Sequence, residues 1–233
     1  MADVDEIIHK ADQFIENCEF EEACNLLRQY ADTSHYEILR RLANSIYCLC
    51  RDWYRTDKKR AENLIPEGFD VSSKLLKLSP EKSASHKYYA IFLGEKAGLS
   101  GPKQQILSLN NVLSHIKTAN QLDPLDPYVW YLEGAFYEKL LRLQWFEKQL
   151  VYALNKQLVR PKHDDALRCL LKAEEIQANF FYYNQYLIGK IYFDQKEYDK
   201  ARPFLLKLAN LRILRTEDDR RAKEEAEKML AKL

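Results

Sequence analysis

The sequence has few residues that interrupt helices and no long apolar segment. Its 233 residues include only six glycines and seven prolines, so dedicated turn positions are scarce and helices are favoured. No apolar run approaches the ~20 residues that a membrane-spanning helix needs. Residues 1–6 carry acids where a secretory signal needs a basic segment followed by an apolar one. These absences predict a helical, cytoplasmic protein without an N-terminal membrane anchor.

Net charge and disulfide-forming cysteines are also lacking. The 36 basic and 35 acidic residues leave a net charge of +1, so no global field attracts nucleic acid or a membrane surface. An acidic partner therefore has to be met by a local patch. The five cysteines are an odd number without a disulfide framework, which is typical of a reducing compartment. Cys48 and Cys50 point to different sides of a helix, and we expect both to be core thiols.

A periodic pattern between residues 183 and 208 has the spacing of a tetratricopeptide helix pair. Gly189 and Ala201 are small positions at which two antiparallel helices can approach closely, and apolar residues follow at helical spacing. The same 12-residue separation recurs between Ala11 and Ala23. A generic helical hairpin is the alternative, but this recurrence favours a 34-residue helix–turn–helix repeat.

The whole pattern predicts one all-α domain over residues 1–233, a superhelix of tetratricopeptide-like antiparallel helix pairs. The repeats cover residues 4–34, 36–80, 83–124, 126–178 and 182–213, and a capping helix covers residues 216–233. Wider spacing between small positions in the middle repeats predicts extended insertions. We expect these to form a solvated face or loop at residues 58–60 and a loop at residues 98–102.

Two helix starts are marked by capping residues. Asp126 is a good N-cap, and Pro127 follows at the first helical position. Thr216 precedes three acids, which reads as a helix start with a capping box at Asp219. A charged last helix of this kind can cover the open end of a repeat array.

An ordered set of segments resembles the regulator of microtubule dynamics family. The segments are residues 85–91, Asp123 with its proline, and residues 143–148, 165–167 and 171–175. The likeness spans about residues 5–230. It implies a non-enzymatic microtubule-associated protein, with tubulin as its partner, that acts in microtubule dynamics, spindle organisation and chromosome segregation. It also implies a location on the cytoskeleton, at the spindle and spindle poles in mitosis.

Some relatives in that family are anchored in mitochondrial membranes and bind lipid through a similar domain. This chain shows no N-terminal membrane segment, so a mitochondrial tether is not expected. A lipid-binding or lipid-transfer role at organelle contacts stays open as an alternative. A peptide-binding adaptor without direct microtubule contact is a further one.

The first helix of each repeat lines the concave face of such arrays, which makes ten residues candidates for groove binding of a peptide or lipid. They are Arg40, Asn44, Tyr47, Lys87, Tyr128, Tyr131, Tyr183, Tyr186, Lys190 and Phe193. Tyrosines offer stacking area with a polar tip, although half of them could simply pack against neighbouring helices. Arg40 and Asn44 resemble half of a carboxylate clamp, but Ile91 stands where the third repeat would need an asparagine.

Six basic residues are candidates for a microtubule-facing patch. They are Lys58, Lys59, Arg60, Lys156, Arg160 and Lys162. Residues 138–163 hold six bases against two acids, interleaved with leucines, and such an amphipathic stretch can lie on a membrane or an acidic protein. We expect its leucines to extend the first helix of the fourth repeat and to bury against the array, with the basic side in solvent.

Nothing in the sequence points to catalysis. The five histidines lie far apart and lack zinc-binding spacing. Residues 98–102 contain two glycines, but no strand precedes them and no Gly-Lys-Ser/Thr follows, which argues against a phosphate loop. Asp164 and Asp165 fit a helix start better than a pair of catalytic carboxylates. The sequence therefore predicts a non-enzyme with no catalytic residues, metal or cofactor, and with no nucleic-acid partner.

Overall fold

The computed structural model describes residues 4–233. These residues form twelve α-helices and a short 3-10 helix (Ala31–Thr33), with no β-strand among them. The helices are α1 (Val4–Glu16), α2 (Phe20–Arg28), α3 (Tyr36–Thr56), α4 (Lys58–Leu78), α5 (Ser83–Leu99), α6 (Pro102–Leu122), α7 (Pro127–Leu141), α8 (Trp145–Leu154), α9 (His163–Ile176), α10 (Tyr182–Asp194), α11 (Tyr198–Ala209) and α12 (Glu217–Leu230). The predicted all-α class is confirmed. None of the helices within residues 4–233 combines the length and apolarity needed to cross a bilayer.

The helices form two compact units, one up to Leu122 and one from Asp123 to Leu233. In the N-terminal unit, α1 packs on α2, α3 on α4 and α5 on α6, and each pair packs on the next. In the C-terminal unit, α7 packs on α9 and α10 on α11, while α12 covers α10 and α11. Paired helices of this kind are the predicted arrangement. A single continuous domain over the whole chain stays a prediction.

Small residues lie at the closest helix contacts, as the spacing predicts. A Cβ atom added at Gly134 would lie 2.6 Å from Cγ of Leu170, and one at Gly189 would lie 3.0 Å from Cδ2 of Leu205. The alanines at the other small positions are at most 1% exposed: Ala11, Ala23, Ala43, Ala90, Ala119, Ala166 and Ala201. Close approach at these positions lets the larger apolar neighbours of each pair interdigitate.

The extra residues of the middle repeats mostly lengthen helices. Residues 58–60 form a solvated helical face, one of the two expected forms, and the loop expected at residues 98–102 is reduced to Ser100 and Gly101. The helices α3, α4 and α6 each have 21 residues. The basic stretch 58–60 forms the first turn of α4, where Asp57 accepts a hydrogen bond from the backbone N–H of Arg60 at 3.0 Å. Buried Ala61 and Ile65 follow at helical spacing, so the apolar stripe of the helix continues through the insertion.

Both predicted helix starts are confirmed. The Asp126 carboxylate accepts a hydrogen bond from the backbone N–H of Tyr128 at 2.8 Å. The Thr216 hydroxyl accepts one from the N–H of Asp219 at 3.2 Å, and the Asp219 carboxylate accepts one from the N–H of Thr216 at 3.1 Å. Each cap satisfies backbone donors that a helix leaves open in its first turn.

Candidate functional site

The two clamp-like residues of the N-terminal unit already have partners within the protein. The Arg40 guanidinium lies 2.9 Å from the Glu37 carboxylate, one helical turn away. The amide oxygen of Asn44 accepts a hydrogen bond from the Tyr88 hydroxyl at 3.0 Å, which joins α3 to α5. A ligand carboxylate would have to compete with these contacts. The groove role of these residues stays a prediction.

The neighbouring groove candidates, Tyr47 and Lys87, also contact other residues of the protein. The Tyr47 side chain is 9% exposed, and its hydroxyl accepts a hydrogen bond from Nη1 of Arg51 at 2.6 Å. The Lys87 ammonium lies 5.2 Å from the centre of the Tyr88 ring. Tyr47 therefore serves mainly as a core side chain with a polar tip.

An aromatic cluster in the C-terminal unit contains four of the predicted tyrosines. Tyr128 and Tyr131 have ring centres 5.1 Å apart, and Tyr183 and Tyr186 have theirs at the same separation. Phe181 links the two pairs, 4.9 Å from Tyr131 and 6.2 Å from Tyr183. Tyr131, Tyr183 and Tyr186 are all less than 10% exposed, and Tyr128 is half-buried. Three of the four thus pack mainly against neighbouring residues.

Sequence reasoning missed Phe181 because it precedes the first turn of α10. The uninterrupted aromatic run at residues 180–183 was the available signal.

Lys190 is held by two carboxylates. Its ammonium lies 3.0 Å from Oε1 of Glu138 on α7 and 2.6 Å from Oδ2 of Asp194 on α10. Burial alone would lower the pKa of Lys190, but the hydrogen bond to Asp194 and the charge of Glu138 outweigh it and raise that pKa. The side chain of Glu138 is only 8% exposed. This predicted groove residue therefore joins α7 to α10, and the last groove candidate, Phe193, packs edge-on against Tyr198 at 5.4 Å.

Residues 58–60, the first part of the predicted basic patch, are exposed but partly neutralised. The Arg60 guanidinium lies 3.5 Å from the centre of the Trp53 ring and 2.6 Å from the Glu21 carboxylate. The first lysine of the stretch lies 3.4 Å from the carboxylate of Glu62. Contacts of this kind reduce the charge available to an external partner.

The second part of the predicted basic patch is not neutralised by ion pairs among residues 4–233. Lys156, Arg160 and Lys162 are exposed in the non-helical segment between α8 and α9. Neither lysine ammonium forms an ion pair with any residue in the described part of the chain. The Arg160 guanidinium lies 4.6 Å from the centre of the Tyr152 ring, which leaves its charge unneutralised. This segment is the stronger candidate for an acidic partner.

The helix α8 corrects the expectation for residues 138–163. Only residues 138–141 belong to α7. The chain turns after Leu141, and Glu147 accepts a hydrogen bond from the backbone N–H of Gln144 at 2.7 Å to start a separate helix. Val151 is the residue of α8 that is buried. The expected burial of the leucines holds for Leu140 and Leu158, which are 2% and 5% exposed, but not for Leu150 and Leu154, which are 52% and 47% exposed. Trp145 and Phe146 at the start of α8 are exposed as well, at 75% and 66%.

Two histidines that are far apart in the sequence meet in the N-terminal unit. Nδ1 of His86 on α5 lies 2.8 Å from Nδ1 of His115 on α6. Nε2 of His86 donates to the carbonyl oxygen of Pro80 at 2.9 Å, and the Tyr89 ring centre lies 4.7 Å from that of His115. The contact between the two rings requires one of the two Nδ1 atoms to be unprotonated, so that it can accept a hydrogen bond from the other. Two N–H donors cannot bond to each other.

This pair predicts a loss of stability in mild acid. Burial and then the charge of His86 lower the pKa of His115. A base whose pKa is lowered by folding destabilises the protein as the pH falls through its ordinary value of about 6.5. We expect the melting temperature to fall between about pH 7.5 and about pH 5.5.

The matched variants for this test are His115→Gln and His9→Gln. His115→Gln removes the titrating ring and should show a smaller fall. His9 is exposed on α1, so its glutamine variant should follow the wild type. Equal falls in all three proteins would contradict the prediction.

An open depression of about 330 Å³ is formed by residues of α7 and α9. It is lined by Trp130, Arg168, Leu171, Lys172 and Glu175, none of which the sequence predicts as a binding residue. Its lining carries charges of both signs and is open to solvent, and this arrangement does not indicate a particular reaction. The indole N–H of Trp130 is already used, since it donates to the carbonyl oxygen of Pro124 at 2.9 Å.

Comparison with solved structures shows the fold. The chain is similar to a thermophilic TPR protein of Thermus thermophilus, with a TM-score of 0.64, 14% identity, and coverage of 97% of this chain and 98% of that one. The predicted tetratricopeptide-like class is therefore confirmed, and this likeness concerns the fold alone.

Comparison with sequences shows the family. The mouse regulator of microtubule dynamics protein 1 is 29% identical over 232 residues, which cover 100% of this chain and 75% of that protein. The rat regulator of microtubule dynamics protein 3 is 29% identical over 238 residues, which cover 100% of this chain but 50% of that protein. The family model described as regulator of microtubule dynamics protein 1-3 matches residues 7–233. The chain therefore belongs to the regulator of microtubule dynamics protein 1-3 family.

Proposed function

We propose that this protein binds microtubules directly and that residues 156–162 supply the electrostatic part of the contact. The observation that carries the proposal is the exposed, unpaired charge of Lys156 and Lys162, with Arg160 between them. The microtubule surface is acidic, whereas this protein is nearly neutral overall, so attraction requires clustered charge. Membership of a family of microtubule regulators supports the same partner.

The two parts of the basic patch contribute unequally. The charges of Lys58 and Arg60 are offset by the carboxylates of Glu62 and Glu21, whereas residues 156–162 contain no acid and form no such ion pair with the residues that the structure describes. A base that is already paired gains less from a new acidic partner, because the existing contact has to be given up. We therefore assign the main contact to residues 156–162 and an accessory one to residues 58–60.

In a cell, this contact places the protein on cytoplasmic microtubules and, in mitosis, on the spindle and its poles. There it contributes to microtubule dynamics and chromosome segregation as a non-enzymatic binding protein. Its named relatives are regulators of microtubule dynamics, which supports a regulatory role over a catalytic one.

Charge reversal tests the electrostatic contact. We expect Lys156→Glu, Arg160→Glu and Lys162→Glu combined to weaken co-sedimentation with microtubules about tenfold at low salt, because three exposed attractions become repulsions. Binding of the wild type should also weaken as salt shortens the Debye length from ~10 Å at 0.1 M to ~3 Å at 1 M. Far-UV circular dichroism should be unchanged, since all three residues are exposed outside helices.

A second triple variant controls for net charge. Lys77, Lys103 and Lys117 are exposed in the N-terminal unit, and reversing them changes the net charge equally. This control should sediment like the wild type. A wild type that fails to sediment at low salt would refute direct binding. If both triple variants lose binding equally, net charge and not residues 156–162 is responsible.

A further inference from the structure

An apolar face on α8 is not needed by the fold. Trp145, Phe146, Leu150 and Leu154 lie within about half the circumference of the helix, because each residue advances ~100°. Their exposures range from 47% to 75%, while Val151, on the other side of the helix, is only 2% exposed. Large apolar side chains that gather on one exposed face, with a tryptophan among them, are typical of an interaction site.

Charge around this face selects an acidic partner. Between residues 139 and 163 the one acid is Glu147, and its carboxylate caps the start of α8. Bases lie on both sides of the helix in the sequence, with Arg142 before it and Lys156 after it. A second copy of the chain would bring like charges together at this face, which is unfavourable.

The partner must also offer ordered apolar surface. A disordered acidic segment has low hydrophobicity, so it can neutralise bases but cannot bury a face of this kind. A folded acidic surface can do both. The microtubule has an ordered body and disordered acidic tails. The body can bury an apolar face, whereas the tails can only neutralise bases.

We infer that the apolar face of α8 docks on the ordered body of the microtubule, while residues 156–162 meet its acidic surface and tails. This inference rests on the proposed function and divides that contact into two halves. The apolar half is insensitive to salt, since burial of apolar area does not depend on screening. The two halves adjoin in the chain, because Lys156 follows the last residue of α8 by two positions.

Co-sedimentation with two kinds of polymer tests the inference. The variant combines Trp145→Ala, Phe146→Ala and Leu150→Ala, which removes exposed side chains and keeps good helix formers in α8. We expect it to bind about tenfold more weakly than the wild type, both to intact microtubules and to microtubules freed of their acidic tails by limited proteolysis. Its salt dependence on intact microtubules should remain that of the wild type.

Two equally exposed apolar residues provide the matched control. Leu125 is 73% exposed before α7, and Ile213 is 75% exposed between α11 and α12. A Leu125→Ala and Ile213→Ala double variant should bind both polymers like the wild type. Unchanged melting temperatures in both variants would exclude unfolding as the cause of a difference.

The outcomes distinguish this inference from the proposed function. No sedimentation of the wild type with any microtubule would overturn the proposed function. Sedimentation of the wild type, together with full binding of the α8 variant, would overturn this inference alone, and so would a wild type that needs the acidic tails to bind at all. If the α8 variant binds microtubules fully but loses flotation with vesicles of anionic phospholipid, the face belongs to a membrane contact instead.

Discussion

Lys190→Met should lower the free energy of unfolding by about 3–5 kcal/mol, because it leaves the buried carboxylate of Glu138 without its main counter-charge. The ammonium of Lys190 is 3.0 Å from that carboxylate, and the two side chains are 16% and 8% exposed. Arg142 lies 3.7 Å from the same carboxylate but is largely exposed, so it replaces only part of the lost attraction. Urea denaturation followed by circular dichroism measures the change.

A compensating double variant and a control variant at an exposed ion pair test whether the effect comes from Glu138. Adding Glu138→Gln to Lys190→Met should restore much of the lost stability, since an uncharged amide is cheaper to bury than an unpaired carboxylate. Lys228→Met breaks a pair with Glu225 on the surface of α12 and should change stability by at most ~1 kcal/mol. If Lys190→Met behaves like Lys228→Met, Glu138 is not held by this pair.

The pH dependence of Lys190 follows from its raised pKa. A base whose pKa rises on folding stabilises the protein fully below its ordinary value, here 10.5. That contribution is lost as the pH rises through the higher value of the folded protein. The difference in stability between the wild type and Lys190→Met should therefore narrow in strong alkali.

Leucine at Gly68, Gly134 or Gly189 should each destabilise the fold by ~1–3 kcal/mol through overpacking. A Cβ atom at Gly68 would lie 2.1 Å from Cε1 of Phe92, whose side chain is fully buried. A Cβ atom at Gly134 would also meet the backbone oxygen of Ala166 at 3.1 Å, and a backbone atom cannot turn aside. Thermal unfolding should show a lower melting temperature for each variant.

Gly94 is the matched control for these glycines. It also lies in a helix, but a Cβ atom there would be 3.8 Å from its nearest neighbour, Cγ2 of Val112. Gly94→Ala should therefore stabilise the protein by up to about 1 kcal/mol, through the higher helix propensity of alanine. Gly68→Ala should still destabilise it, because the ring of Phe92 has to move. Equal effects at Gly68 and Gly94 would show that the close helix contacts carry no stability.

Local patterns predicted the helices and the points at which they touch. The separation of Gly189 from Ala201 and the cap at Asp126 involve residues a few turns apart, and local spacing determines both. The insertions show where local reasoning left two forms open. The charges of residues 58–60 fit a solvated face or a loop, and Ala61 and Ile65, which continue the apolar stripe of a helix from that point, decide for the solvated face.

Contacts between distant residues could not be predicted in this way. Lys190 reads as an exposed groove residue, and only the packing of α10 on α7 brings it to Glu138. His86 and His115 read as isolated histidines for the same reason. Pairings across 29 or 52 positions depend on how helix pairs pack, and no local spacing encodes that geometry.

By itself the sequence determined the all-α class, the helix-pair pattern, the main caps and the likeness to microtubule regulators. These depend on apolar periodicity, on residues within one or two turns, and on an ordered set of local segments. Only the tertiary structure decided which apolar side chains are buried. The leucines of α8 have the spacing of core residues, yet the turn after Leu141 presents them to solvent. Periodicity shows that a helix has an apolar face, and the packing of the remaining chain decides whether anything within the protein covers it.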